Sequence, residues 1–399
     1  MRIEQGWGEP VAPRREALLF VMAGLGMATV AGCGQTSNQA TAPGCSGVRT
    51  PSSVGSSDTT NHVTTSSSRT PGQQPISGRK GLMAIQFVSQ STGYMVGNGE
   101  VLKTTNGGRT FDAAKRTGVN LTSIKAAKST PPTLAAWGLH TILITHDGGS
   151  TWPIENLPQR SVLAVDFVSD TEGFALESSN LWRTTDGGES WSKLLTPALA
   201  DSVSFGSTAV GWIGTSDGKV FKTSNAGNSW TLTLASKGNT ETLVHAASAQ
   251  RCLASISGLA SMGGVSYTIF QTLDGRNWKP ILAYNSGASP PPGNPANVAS
   301  GPGTSIGPVV PLGSRTAVVA GICSSCNGNT EASLVVTEND GASWSKLAPI
   351  RGGMTYLASI SFITPNVGWL LETGLQPGSG VLFRTSDGGK SWSKVYSTS

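Results

Sequence analysis

Thr184-Thr185-Asp186-Gly187-Gly188-Glu189-Ser190-Trp191 is one of seven versions of a single phrase in this 399-residue chain. A Thr-rich strand end runs into Asp or Asn, then a Gly-bearing turn, then Ser or Thr and an aromatic. The other versions run from Thr104 to Phe111, Thr145 to Trp152, Thr223 to Trp230, Thr272 to Trp278, Thr337 to Trp344 and Thr385 to Trp392. The acceptor residues Asn106, Asp147, Asp186, Asn225, Asp274, Asn339 and Asp387 recur at intervals of 39 to 65 residues. That is the period of an array of small structural units.

Reading backward from Asp186 gives the unit. Ser161-Val162-Leu163-Ala164-Val165-Asp166-Phe167 alternates as a strand. A turn, Gly173-Phe174-Ala175-Leu176, a second turn and Leu181-Trp182-Arg183-Thr184 follow, and a fourth strand leaves at Trp191. The same order recurs at Phe87…Gly93-Tyr94, Phe205…Gly211-Trp212 and Phe362…Gly368-Trp369. The second, fifth and sixth units diverge more. Four short strands separated by turn residues make one antiparallel sheet. Such a sheet cannot bury both faces alone, but a ring of seven can. The sequence therefore predicts an all-β fold, a seven-bladed β-propeller of four-stranded antiparallel blades over 80–399. Units one and seven each look complete, so closure needs no exchanged strand, although residues 73–80 offer one.

The phrase Ser/Thr-x-Asp-x-Gly-x-Ser/Thr-Trp resembles the Asp-box (BNR) motif of sialidases, xyloglucanase-type glycoside hydrolases and sortilin. The longer pattern, Phe…Gly-aromatic…Thr-Thr/Ser-Asp-Gly-Gly-x-Ser-Trp, is more similar to the photosystem II stability/assembly factor family of plants and cyanobacteria. The resemblance covers most of 80–399 and implies the propeller fold, with the boxes between third and fourth strands, on the face away from the usual ligand site. For function it implies a partner-protein role only loosely.

The boxes read as structural staples. A short acceptor side chain caps backbone N–H groups, Gly supplies positive φ, and the aromatic (Phe111, Trp152, Trp191, Trp230, Trp278, Trp344 or Trp392) wedges between neighbouring sheets. Asn stands at 106, 225 and 339, and the fifth copy is one residue short. An amide serves a staple but not a catalytic carboxylate. Three residues before the acceptor stand Lys103, Arg183, Lys222 and Arg384 in four copies. These are candidate binding residues, a partial basic girdle for an anionic or acidic protein surface; the alternative is that each snorkels over its neighbour blade and bonds local carbonyls. The opposite face gathers length variation at Ser257 to Ser266, Tyr284 to Ser305, Cys323 to Cys326 and Gly374 to Gly380. Long irregular loops on one face make blades five to seven the preferred binding sector; the alternative is drift in loops under no constraint.

Outward of the repeat, the two ends of the leader segment have different character. Arg14 and Arg15 precede an apolar run from Ala17 to Ala31, short for a membrane span but suited to a signal segment. It closes with Val30-Ala31-Gly32-Cys33, which resembles the lipobox of bacterial lipoproteins and implies lipidation at Cys33. Residues 1–32 are thus expected to be a lipoprotein signal peptide. Residues 33–79, rich in Ser, Thr, Pro, Gly and Gln, are expected to be a disordered tether. The expected location is extracytoplasmic, lipid-anchored to a bacterial membrane. Low charge (13%) and 51 Gly suit an exported all-β protein, and the net charge of +5 permits an anionic partner without demanding one.

In an oxidising compartment Cys323-Ser324-Ser325-Cys326 is expected to close a local disulfide. A zinc site has no second ligand pair at the right spacing, and a thioredoxin-like role has no βαβ context. No metal or cofactor is expected. Cys45 falls in the tether and Cys252 in a strand, their states left open.

Catalysis finds little support. A sialidase needs an arginine triad, a Tyr nucleophile with its Glu and six blades, none of them present. A glycoside hydrolase of another kind needs two carboxylates on the loop face. Glu100, Glu177, Asp217, Glu331 and Glu372 are the pool, each also an ordinary turn-former. No Ser/His/Asp set, HExxH, P-loop or dinucleotide fingerprint appears, and the aromatics are used by the repeat, which argues against nucleic acid. The expectation is a non-catalytic, membrane-anchored scaffold for an envelope protein or complex; the alternative is a carbohydrate-active propeller, a glycoside hydrolase or a glycan-binding module.

Overall fold

Each blade buries both of its faces against its neighbours, and this decides the architecture. In the computed structural model the chain divides into Met1–Pro71 and Gly72–Ser399. The described residues lie in the second unit, from 81 to 398 apart from 98, 128–131, 139, 156–161, 178–179, 238–240, 262–263, 288, 324–330, 351–355 and 375–378. Seven antiparallel sheets occupy 82–116, 123–155, 162–194, 200–235, 241–300, 305–346 and 356–398, here blades 1 to 7. The expectations for Cys33, Cys45, the leader, the tether and Cys326 fall on residues outside those described.

The apolar side chains sort into seven cores, and every core is a seam. Phe87, Met95 and Leu102 of blade 1 pack with Trp369, Leu371 and Leu382 of blade 7. Tyr94 and Val96 of blade 1 pack with Leu134 and Leu143 of blade 2, and the pattern continues around the ring. Because successive side chains of a strand point to opposite faces, one strand feeds two seams. Leu370 belongs to the seam with blade 6 while Trp369 and Leu371 belong to the seam with blade 1. Second strands such as Gly93–Gly97 and Gly173–Glu177 are therefore buried at every position.

A cross-strand pair explains the recurring Phe…Gly. Phe87 stands opposite Gly93, Phe167 opposite Gly173, Phe205 opposite Gly211 and Phe362 opposite Gly368. Each ring lies over its glycine, so closely that a Cβ on Gly211 would meet Phe205 carbons at 2.4 Å. The ring occupies the space a side chain would need. In blade 5 the same register pairs Ala246 with Cys252, small opposite larger, so both members of the pair change together. The freed rings then stack across seams, Phe87 on Trp369 at 3.7 Å and Phe174 on Phe205 at 3.4 Å, both nearly parallel.

First strands are stitched by short polar side chains. Phe205 N–H donates to Asp166 Oδ2 (2.7 Å), Val244 N–H to Ser202 Oγ (3.0 Å), Ala246 N–H to Ser204 Oγ (3.1 Å) and Phe87 N–H to Ser361 Oγ (2.9 Å). The last of these joins blade 1 to blade 7. Both blades are built wholly from their own contiguous segments, and the ring closes by packing, without strand exchange among the described residues.

Two details depart from the sequence reading. Blade 5 has five strands, because Ala299–Ser300 returns along its outer edge and pairs parallel with Trp278–Tyr284. And the residue after the acceptor is not always Gly: Ala226 and Asp340 take its place at φ 57° and 59°, a left-handed conformation that costs these residues more than Gly.

Candidate functional site

Six of the seven turns share one hydrogen-bond scheme, set by a Thr at the strand end and an acceptor two residues on; the shortened fifth keeps the Thr272–Asp274 contact and the N–H bonds to Asp274 alone. In blade 3, Thr184 Oγ1 donates to Asp186 Oδ1 (2.7 Å) and accepts from Gly188 N–H (2.8 Å), while Asp186 Oδ1 accepts from Ser190 N–H (2.9 Å). The Ser190 hydroxyl donates to Asp186 Oδ2. With Asn the last contact reverses: Asn106 Nδ2 donates to Thr110 Oγ1 (2.8 Å). The donors hold the acidic turns ionised. The hydroxyl of Thr145 holds the Asp147 carboxyl far below the usual range, Ser190 does so for Asp186, and the Asn277 N–H for Asp274. Every acceptor is consumed by its own turn, which leaves none as a general acid or base. Removing the donor should be felt locally: Thr223→Val is expected to cost about 1–2 kcal/mol, since Thr223 Oγ1 serves both Asn225 and Gly227. A denaturant titration checks this.

The turns also dock blades together. In blades 1, 2, 3 and 6 the carbonyl after the acceptor receives a donor from the preceding blade. Gly107 O accepts from Trp369 Nε1 (3.0 Å), Gly148 O from the Tyr94 hydroxyl (2.5 Å) and Gly187 O from His146 Nε2 (2.9 Å), which must therefore carry the proton. Burial pushes the Tyr94 hydroxyl up to about 12, with the Asp147 charge adding to the effect. The shortened fifth turn breaks the scheme, and Trp212 Nε1, facing it from blade 4, is buried without a partner. The box aromatics lie in the seam with the preceding blade, Trp152 and Phe111 among them. Trp191, Trp230 and Trp392 also meet their own blade's Phe edge-on.

The four basic candidates lie near these turns, and the structure gives them unequal roles. Lys103 Nζ donates to Gly148 O (2.7 Å) and sits 5.7 Å over the Tyr94 ring. Arg183 Nε is held by Glu172 Oε1 at 2.5 Å. Lys222 Nζ lies 5.6 Å over the Trp212 ring and against Gly275 of the next blade. Arg384, 5.5 Å over Trp369, lines a cavity of about 480 Å³ at the seam of blades 7 and 1. Arg109, Gln90, Ser91, Ser391 and Ser393 share its wall, and no carboxylate lines it. Sequence reasoning found Arg384 and missed Arg109, whose side chain comes from the next blade; the box position of Arg109 (Glu189, Asn228 and Lys390 in other copies) carries no consistent charge. The cavity can take an anionic group against two guanidiniums and several hydroxyls.

The carboxylate pool is spread around the ring. Its members belong to five different blades. Glu177 is fully buried, and its Oε2 accepts from Trp182 Nε1 (2.7 Å). Asp217 takes Thr215 Oγ1 (2.6 Å) and Lys219 Nζ (2.5 Å), Arg116 holds Glu100 at 3.3 Å, and Glu331 opens a strand of blade 6. Glu372 is buried at 4% exposure. A different acid, Asp201, stands where blade 4 meets blade 5: burial raises its carboxyl to about 6 against the hydrogen bond from Thr242, with Glu241 and Asp217 adding. Among the described residues no group of three or more His, Cys, Asp or Glu is placed to hold a metal ion, and no helix is long and apolar enough to cross a membrane.

Of the four loops expected to form the binding sector, those at 257–266 and 284–305 are more regular than their composition implies, while 324–330 and 375–378 lie outside the described residues. Over 257–266 the strands Cys252–Ser261 and Gly264–Thr272 simply run on. The stretch after Tyr284 is tied down by Thr268 Oγ1 to Pro292 O (2.7 Å), Tyr267 OH to Gly303 O (3.2 Å) and Val265 N–H to Thr304 O (2.8 Å). Proline and glycine there lie in an outer cover of blade 5.

No known family and no curated protein matches the chain in sequence. Solved structures do match in fold. YCF48 bound to a D1 peptide is 16% identical over 79% of this chain and 96% of that one, with a TM-score of 0.53. The GH74 xyloglucanase of Xanthomonas campestris is 13% identical over 80% of this chain, with a TM-score of 0.56; the chain spans 54% of that enzyme. U3-55K is 10% identical over 76% and 92%, with a TM-score of 0.54. At these identities the likeness shows the fold. The chain is a seven-bladed β-propeller.

Proposed function

We propose that this propeller is a non-catalytic scaffold that docks an acidic segment of a partner protein at the seam of blades 7 and 1. One observation carries it: the seam cavity is lined by Arg109 and Arg384 with no carboxylate in its wall. A guanidinium pair in such a setting favours carboxylates, because its planar donors match them two at a time. YCF48, a propeller of the same build, is seen with a bound peptide, which supports a peptide-docking role. The finer reading joins the acidic turns to the Asp-box motif and places the protein on the outer side of a bacterial membrane, held by a lipid on Cys33.

Charge reversal tests it. Cross-linking capture from native envelopes with the wild-type protein is expected to return a partner that Arg109→Glu/Arg384→Glu loses, with an unchanged melting temperature. Recovery should fall as salt rises. The same partner at the same yield with the reversed protein would sink the proposal. A carbohydrate-active propeller is the second reading, favoured by the proximity of Asp201, kept largely protonated below pH 6, to Asp217, held ionised by Lys219. Clear turnover in a polysaccharide screen, lost in Asp201→Asn, would put that reading first.

A further inference from the structure

Six blades guard their outer edges. The last strand of blade 1, Asp112–Arg116, carries Asp112, Lys115 and Arg116, and that of blade 7, Ser393–Thr398, carries Lys394. Those of blades 2, 3 and 6 run for two or three residues within the described part of the chain. Blade 5 covers its edge with Ala299–Ser300. Among the described residues blade 4 has none of these devices, only the register shift at its last pairing that blades 1, 5 and 7 also carry. Its last strand, Thr231–Ala235, reads Thr-Leu-Thr-Leu-Ala, five residues without charge or proline. An edge of that kind is a template on which a further strand can form.

We propose that this edge is a strand-addition site for an extended peptide of a partner protein, apolar at alternate positions and carrying an acid where it meets Lys237. The backbone supplies the first half of the specification: Thr231–Ala235 ends its sheet, and only an extended chain satisfies a row of edge groups. Side chains supply the second. Leu232 stands opposite Phe221, on the side where Phe221 and Trp230 pack toward blade 3, and is 48% exposed. Leu195 of blade 3 is 83% exposed, and its carbonyl accepts from Trp230 Nε1 at 3.2 Å. The last strand of blade 3 stops at Leu194, so Leu195, Trp230 and Leu232 put partly exposed apolar surface beside the edge. Charge supplies the third: residues 231–237 contain no carboxylate, and Lys237 is exposed just past the strand. Blade 5 shows the arrangement inside this molecule, with Gly301 N–H donating to Ala283 O (2.8 Å) as the added strand lies along its edge. The site is on the rim, apart from the seam cavity, and stands whether or not that cavity docks an acid.

Fluorescence anisotropy with the whole chain tests it, using a fluorescein-labelled heptapeptide of alternating valine and threonine with an aspartate at its N-terminus. Saturable binding is expected, weakened about tenfold or more by Leu232→Lys. N-methylation of alternate peptide nitrogens should abolish binding in one register and spare it in the other. Leu232 is half exposed, so the variant is expected to keep its melting temperature. Binding that survives Leu232→Lys, or that ignores N-methylation in both registers, overturns the proposal, as does no binding at all. A concentration-dependent dimer lost in Leu232→Lys, with no peptide binding, would assign the edge to a second copy instead and overturn it equally.

Discussion

Replacing Glu372 by Gln is expected to stabilise the protein by about 3 kcal/mol at pH 8 and to change little near pH 4. Glu372 is next to last in the second strand of blade 7, Gly368–Thr373, where a carboxylate beside the turn would ordinarily face water. Here it is buried, and burial raises its carboxyl from 4.5 to about 7. Below pH 4.5 the group is protonated whether the chain is folded or not, and it costs nothing. Between 4.5 and 7 the unfolded chain releases its proton and the folded one does not, so stability falls as pH rises. Above 7 the folded protein carries a buried charge, and its Oε2 has no partner. Gln keeps the shape without the charge. Urea titrations of both proteins at pH 4 and pH 8 measure the difference. Equal stability at both would show that Glu372 is not held as described.

Phe205→Ala and Gly211→Cys should each destabilise strongly, by about 3–5 and 1–3 kcal/mol, yet their combination should cost at least about 2 kcal/mol less than the sum. The ring of Phe205 lies on Gly211, stacks on Phe174 and meets the edge of Trp230. Cutting it to Ala opens a cavity at the seam of blades 3 and 4. Adding a side chain at 211 drives atoms into the ring. Together the two changes rebuild the pair that blade 5 already carries, Ala246 opposite Cys252. That Cys is buried, and burial raises its thiol far above the ordinary range, so it packs as a small apolar group. Additive costs in chemical denaturation would refute the pairing rule.

The propeller was legible because its signal is repeated: seven turn phrases, each with Thr, acceptor and aromatic in fixed order, outweigh any single strand's propensity. The Phe…Gly recurrence was legible as a pattern, but its cause is a cross-strand contact that no spacing reveals. Asp166, Ser202 and Ser361 were invisible as stitches, since a short polar residue in a buried strand looks like broken alternation until the neighbouring blade stands beside it. Lys103 and Arg384 were equivalent by position, and only the packing separates them: one bonds Gly148 O, the other lines a cavity. The fifth strand of blade 5 was hidden by composition. Proline and glycine through 285–305 read as loop, although the segment returns to the sheet.

Closure without an exchanged strand among the described residues has a consequence for synthesis. Blades 2 to 7 each find the preceding blade already made as they emerge. Blade 1 does not: Phe87 lies against Trp369 and Phe87 N–H against Ser361, partners translated almost at the end. At 5–20 residues per second that wait is roughly 15–60 s. For that time the nascent chain holds half of its first core open, and whatever attends the ribosome meets that surface first.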